Sequence, residues 1–211
     1  MAASQERLQA VAPPNLPLAT EEYAPQYQDQ LNNVLRLYFN RISNTLNLVI
    51  GNEGGQYLAF PYGAFLDTTT QTAAAINTAY PITFNTTTST NSVVLGVDTS
   101  KIYVDEPGVY NFMFSLQLDS TVGSAQSIWI WPRVNGTDIP DSATRLSVQG
   151  SSAEVVAAWN FFQEMNAGDY FQLMWAVGHT GVKIVQEAAT AFCPAIPSAL
   201  MSVNFVSTRP V

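Results

Sequence analysis

The sequence predicts an all-β domain, an antiparallel sandwich or barrel, preceded by an extended arm and one long α-helix. Three observations carry this: many short apolar runs after residue 55, turn-forming clusters between them, and helical spacing confined to the stretch before residue 51. No helix-period segment separates the apolar runs, which excludes a parallel α/β fold.

Residues 1–19 carry Pro13, Pro14 and Pro17 among small and polar residues. Proline fixes φ and removes a donor, so this stretch predicts an extended arm that gains order on a partner surface. The helix is predicted over residues 20–50. Thr20 with Glu21 and Glu22 is a start signal, and Pro25 falls near the first turn, where a missing N–H costs least. Tyr27, Leu31, Leu35, Tyr38, Ile42 and Val49 recur at helical spacing, widened by Val34, Phe39 and Leu46, and Gly51 ends the run. Asn32, Asn33, Arg36, Asn40, Ser43 and Asn47 make the polar face. An apolar stripe outside a β-domain needs a partner. The expectation is an anchoring or oligomerisation helix that buries Tyr27, Leu31, Leu35, Tyr38, Phe39, Ile42 and Leu46 between copies or against a docking protein. Gln28 and Thr45 interrupt the heptad seam, and packing onto the chain's own sandwich is the alternative. Residues 51–67, with Asn52, Glu53, Gly54 and Gly55, are predicted as hinge and neck.

Strands are predicted at Gln56–Leu66, Pro81–Phe84, Ser92–Val97, Ile102–Val104, Val109–Leu118, Gln126–Val134, Arg145–Val148, Glu154–Gln163, Tyr170–Val177, Val182–Gln186 and Leu200–Val206. The separators include TFNTTTSTN, EPG, NGTDIPDS, NAGD and GHTG. Asn135-Gly136 predicts a type I′ hairpin turn rather than a glycosylation site.

In Val109–Leu118, Tyr110, Phe112, Phe114, Leu116 and Leu118 alternate with Asn111, Ser115 and Gln117, the pattern of a half-buried strand. Three other strands are apolar on both faces. Trp129 and Trp131 oppose Ile128 and Ile130; Val155, Trp159 and Phe161 oppose Val156, Ala158 and Phe162; Phe171, Leu173 and Trp175 oppose Tyr170 and Met174. One sandwich supplies one core, so the second faces predict a subunit interface, with Trp129, Trp131, Trp159, Tyr170 and Met174 as its candidates. Coverage of those faces by loops or by the helix is the alternative.

Composition limits function. The 211 residues are 47% hydrophobic and 11% charged, enough to build a core, and a net charge of −8 with only eight Lys and Arg opposes nucleic-acid binding. The N-terminal stretch lacks the apolar core of a secretory signal, so cytosolic synthesis is expected, and no run approaches the length of a membrane span. Cys193 stands alone and reads as a small buried hydrophobe.

Catalytic patterns are missing. His179, in the turn Gly178-His179-Thr180-Gly181, has no nucleophile or orienting carboxylate in a recognisable pattern and reads as a surface turn residue. Asp138 and Asp141 frame Pro140, Asp105 and Glu106 precede Pro107-Gly108, and Asp169 follows Gly168; turn formation accounts for them more simply than a calcium site. No glycine motif points to a nucleotide. Neither enzyme activity nor a cofactor or metal is expected.

Four segments in order resemble the C1q/TNF-like jelly-roll family. They are Ile102-Tyr103-Val104-Asp105-Glu106-Pro107-Gly108-Val109-Tyr110-Asn111-Phe112, the turn Val134-Asn135-Gly136, Met165-Asn166-Ala167-Gly168-Asp169-Tyr170-Phe171-Gln172-Leu173, and the closing strand from Ser198 to Val206. The resemblance spans about Thr68 to Ser207 and implies a jelly-roll sandwich over residues 68–211 and a homotrimer. The signal, collagen repeat and paired cysteines of secreted animal members are missing. The segment from Tyr23 to Asn40 resembles instead the attachment segment of tailed-bacteriophage virion proteins. That resemblance implies a virion protein, a trimeric spike, short fibre or decoration protein, assembled in a host cytoplasm. Residues 1–50 would anchor it to capsid or tail proteins, and the head would face host glycan or protein. A carbohydrate- or receptor-binding module acting through the loops is the alternative, with Asn135, Thr137, Asp138 and His179 as ligand-loop candidates. A hydrolase on a β-scaffold is the least supported reading.

Overall fold

A computed structural model describes residues 13–18, 22, 24–50 and 59–208. The predicted start at Thr20 and Glu21, the stop at Gly51, the Gly54-Gly55 hinge, the first residues of the strand from Gln56 and most of the arm lie outside the described residues. The chain divides into two compact units, Met1–Ala59 and Phe60–Val211.

The first unit contains α1 (Pro25–Ile50), 26 residues long. Pro25 opens it, where no intrahelical donor is lost, and the Ala24 carbonyl accepts the amides of Tyr27 and Gln28 at 3.1 and 3.2 Å. Leu31, Leu35, Tyr38 and Ile42 are half-buried, while Leu37, Phe39 and Leu46 are exposed. The polar side carries local pairs, Gln28 to Asn32 and Arg36 to Asn33.

The second unit holds β1 (Tyr62–Asp67), β2 (Gln71–Thr72), β3 (Tyr80–Pro81), β4 (Thr86–Asn91), β5 (Val93–Leu95), β6 (Ile102–Val104), β7 (Gly108–Ser120), β8 (Gln126–Val134), β9 (Thr137–Asp138), β10 (Thr144–Val148), β11 (Ala153–Met165), β12 (Tyr170–Val177), β13 (Val182–Ile184) and β14 (Ala199–Ser207). Every strand pairing is antiparallel. Two seven-stranded sheets form. The first runs β2-β13-β7-β14-β1-β4, with β11 on the other side of β7; the second runs β10-β8-β12-β6-β5, with β3 and β9 beside β12 and β8.

Eight of these strands define the topology. Taken in chain order as β1, β6, β7, β8, β10, β11, β12 and β14, the first pairs with the last, the second with the seventh, the third with the sixth and the fourth with the fifth. That nested pairing is a jelly roll, as the sequence predicts.

The core lies between the sheets. The alternation of β7 places Tyr110, Phe112, Phe114, Leu116 and Leu118 inward, against Ile128, Ile130, Phe171, Leu173, Trp175 and Val177 of the second sheet. Phe112 stacks on Phe171 at 4.0 Å between ring centroids. The buried Asp67 carboxylate is satisfied by neutral donors, the Thr69 amide at 2.6 Å, its hydroxyl at 2.5 Å and the Thr83 hydroxyl at 3.2 Å.

Two turns conform to the chemistry of their sequences. Asn135 and Gly136 have φ of 49° and 80°, the positive pair a type I′ turn requires, and they join β8 to β9. Gly108 starts β7 where a Cβ would sit 2.4 Å from the Phe205 ring and 2.9 Å from the Ser207 carbonyl, so only glycine fits.

Other predictions need correction. TFNTTTSTN is not merely a separator: Thr86–Asn91 forms β4 and pairs with β1. Five of its six residues are exposed, so no apolar alternation marks it, and its threonines supply β-propensity alone. The Pro81–Phe84 strand shrinks to Tyr80–Pro81, although Ile82 and Phe84 remain buried and bond through their amides to Leu173 and Thr99.

Candidate functional site

Two surfaces of the jelly roll expose residues that a lone domain would be expected to hide. The first is the outer face of the first sheet. The register aligns Phe162, Asn111, Asn204 and Tyr62 in one row, Asn160, Met113, Ser202 and Ala64 in the next, and Ala158, Ser115, Leu200 and Leu66 in a third. Val156 stands beside Gln117. Phe162 is 63% exposed, Val156 57%, Leu200 40% and Met113 39%. These rows contain no charged residue. Charges begin where Glu154, Asp119 and Lys183 align at one end, and at Glu164 at the other. An uncharged, partly apolar sheet face of this kind has the composition of an interface core.

The second surface is a groove of about 840 Å³ on the outer face of the second sheet. In β8, Ile128, Ile130 and Pro132 point into the core, which turns Trp129 and Trp131 outward as the groove floor. In register beside Trp129 stand the small Ala176 on β12, which leaves that side of the indole open, and Arg145 on β10. One wall is Asn77 and Ala79, held by a bond from the Asn77 amide to the Val177 carbonyl at 2.9 Å. The other wall is Asp138, at the end of β9, with Ile139, Asp141, Ser142 and Ala143 of the loop that leads to β10.

Asp138 organises that wall. Its Oδ1 accepts from the Arg133 Nε at 2.6 Å and from the Trp131 Nε1 at 2.8 Å. The bond from Arg133, followed by that from Trp131, holds its carboxyl below the usual range against the opposing effect of partial burial. The Ile139 amide bonds to the Pro132 carbonyl at 3.2 Å, and the Ser142 hydroxyl donates to the Ile139 carbonyl at 2.7 Å. Asp141 sits at φ 57°, a left-handed conformation that aspartate tolerates.

The structure redistributes the sequence candidates for the trimer interface. Met174 is 1% exposed within the single chain, flanked in register by the bulky Trp131 and Pro81, so it cannot meet a second subunit. Trp159 faces inward: it pairs with the buried Phe114 at 4.5 Å between centroids and packs on the core, with a buried Nε1 that has no partner among the described residues. Tyr170 lies against Tyr103 at 5.4 Å, with the Lys101 ammonium 4.9 Å from its ring. Beside it, Gln172 bonds to Ser100, so the turn at Asp98–Lys101 covers this end of β12. Trp129 and Trp131 are half-buried on the groove floor. On the outer face of the first sheet the exposed apolar residues are Phe162, Val156, Met113 and Leu200, with Tyr62 at its edge.

Of the ligand-loop candidates, Asp138 alone lines the groove. Asn135 is committed to the fold, donating to Asp169 at 2.8 Å and accepting from the Tyr170 amide at 3.0 Å. Thr137 is an exposed residue of β9. His179 is exposed, and its Nδ1 accepts the Gly181 amide at 2.9 Å. Among the described residues, no cluster of three or more His, Cys, Asp or Glu is placed to hold a metal, and no helix is long and apolar enough to cross a membrane. Cys193 is only half-buried, in a turn where its amide bonds to the Thr190 hydroxyl, so the expectation of a core position is corrected.

No protein-family model and no curated protein sequence matches the chain. Among solved structures, the globular domain of zebrafish complement 1qA protein is similar at 15% sequence identity and a TM-score of 0.44, over 71% of this chain and 99% of that one. Such a score carries no argument for function, and the assignment of a jelly roll rests on the nested strand pairing.

Proposed function

We infer that the chain is a structural protein of a bacteriophage virion, a spike, short fibre or decoration protein whose jelly-roll head forms a homotrimer and whose N-terminal unit anchors it. The observation that carries the assembly is the outer face of the first sheet. Burying Phe162, Val156, Met113 and Leu200 against copies of the same face satisfies their apolar area without desolvating a charge. The N-terminal helix, with Phe39, Leu37 and Leu46 exposed, supports a docking role for the first unit, and threefold assembly multiplies a weak contact of each arm into strong attachment. The virion assignment itself rests on the resemblance of the segment from Tyr23 to Asn40.

The test is removal of residues 1–59. The remaining head is expected to stay folded and trimeric in solution and to be left out of assembled particles. Normal incorporation of the truncated protein contradicts the anchor.

A further inference from the structure

We propose that the groove over Trp129 and Trp131 is a carbohydrate site, taking a neutral hexose or short oligosaccharide that stacks on the indoles and donates its hydroxyls to Asp138 and Asp141.

The floor and the walls ask for different chemistry, and one ligand class supplies both. Trp129 and Trp131 are neighbours on one face of β8, about 7 Å apart along the strand, so they offer adjoining aromatic surface. The carbon face of a pyranose ring is apolar and fits such surface. Its rim carries hydroxyl donors. The walls carry acceptors: Asp138 uses Oδ1 for Trp131 and Arg133, and among the described residues no donor reaches its Oδ2 or the Asp141 carboxylate. Asn77 adds an amide able to donate and accept.

Charge narrows the class further. Of the two carboxylates that line the groove, Asp138 is paired with Arg133 and Asp141 has no ion pair among the described residues, and Arg145 stands in register beside Trp129. A sialic, uronic or phosphorylated sugar would bring a further acceptor to walls that already carry acceptors, so a neutral sugar is the better match. The floor is also set before binding, because the bond to Asp138 fixes the Trp131 indole and Arg133 fixes Asp138. A preorganised site loses less side-chain entropy when it binds. About 840 Å³ lies within the range of small-ligand sites. The inference stands on the second sheet alone and is independent of the virion assignment and of the assembly face.

The experiment titrates the full chain with maltotriose, mannotriose, lactose and triacetylchitotriose, with sialyllactose, trigalacturonate and tetramethylammonium as comparisons. Binding is read by tryptophan emission and by calorimetry. Saturable binding of at least one neutral sugar is expected, with none for the acidic sugars or the cation. Asp141→Asn removes an exposed acceptor that takes no hydrogen bond among the described residues, and Ala143→Arg obstructs the groove from an exposed position. Each is expected to weaken binding about tenfold or more at an unchanged melting temperature. Three outcomes overturn the proposal: no neutral sugar bound up to about 10 mM, equal binding by both variants, or preference for an acidic sugar or for tetramethylammonium.

Discussion

The Trp131 indole donates to Asp138 Oδ1 at 2.8 Å, and the same oxygen takes the Arg133 Nε at 2.6 Å. One strand thus sends two side chains to a single carboxylate on the adjoining two-residue strand β9, and the outer face of the second sheet is organised around it.

This arrangement carries a pH signature. The carboxyl of Asp138 is held below its ordinary value, first by Arg133, so the ionised form favours the folded groove. The contribution is present above the ordinary carboxylate range and is lost as pH falls through the lowered folded-state value. Because Asp138 is half exposed, the effect on stability is at most about 1 kcal/mol. Tryptophan emission is expected to change reversibly below pH 3.8 in the native chain, and this step is expected to vanish in Asp138→Asn.

Tyr110 carries the opposite signature. Its phenol is buried, donates to the Glu106 carbonyl at 2.7 Å, and is pushed up to about 12 by burial and then by Glu106 and Asp105. A raised folded-state value means that stability is complete below the ordinary value of 10.0 and is lost as pH rises towards about 12, on the order of 3 kcal/mol in all. Tyr110→Phe is expected to remove this component of alkaline unfolding and to lower stability at neutral pH by about 1 kcal/mol through the lost bond. Denaturant titrations across the alkaline range read both effects.

Gly108 tests the entry to β7. A methyl group there meets the Phe205 ring at 2.4 Å and the Ser207 carbonyl at 2.9 Å, so Gly108→Ala must displace backbone as well as a ring. A loss of about 1–3 kcal/mol in urea unfolding is expected. No loss contradicts the close approach of β14 to the start of β7.

Substitutions at Met174 and Phe162 separate a core role from the proposed interface. Met174→Ala is expected to cost about 2–5 kcal/mol of stability, as for a buried methionine, without altering the oligomeric mass. Phe162→Asp, on an exposed position of β11, is expected to alter the mass with little change in the fold of the head.

The strand pattern was legible in the sequence because β7 alternates cleanly and because the Asn135-Gly136 turn admits few conformations. The doubly apolar strands were also legible, but their cause was not. Periodicity says that Met174 has a second face to bury; it does not say that Trp131, Pro81 and the turn at Asp98–Lys101 bury that face locally. Trp159 misled for a related reason: aromatic on both faces, β11 gives no clue to which face is inward until its register with Phe114 is known. Met113, alone among polar neighbours in β7, was the overlooked sign that the outer face of the first sheet is partly apolar. The groove was half legible. Asp138 stood out beside the hairpin, whereas Asn77 reaches the same place only through its bond to Val177, a contact about 100 residues distant in the chain that no local pattern encodes.

The most direct test of the central claim is the solution mass of the full chain, measured by light scattering beside its Phe162→Asp variant. The native protein is expected at three times its 23.0 kDa chain mass, and the variant below that. A native monomer, or a trimer that the substitution leaves intact, contradicts assembly through the outer face of the first sheet.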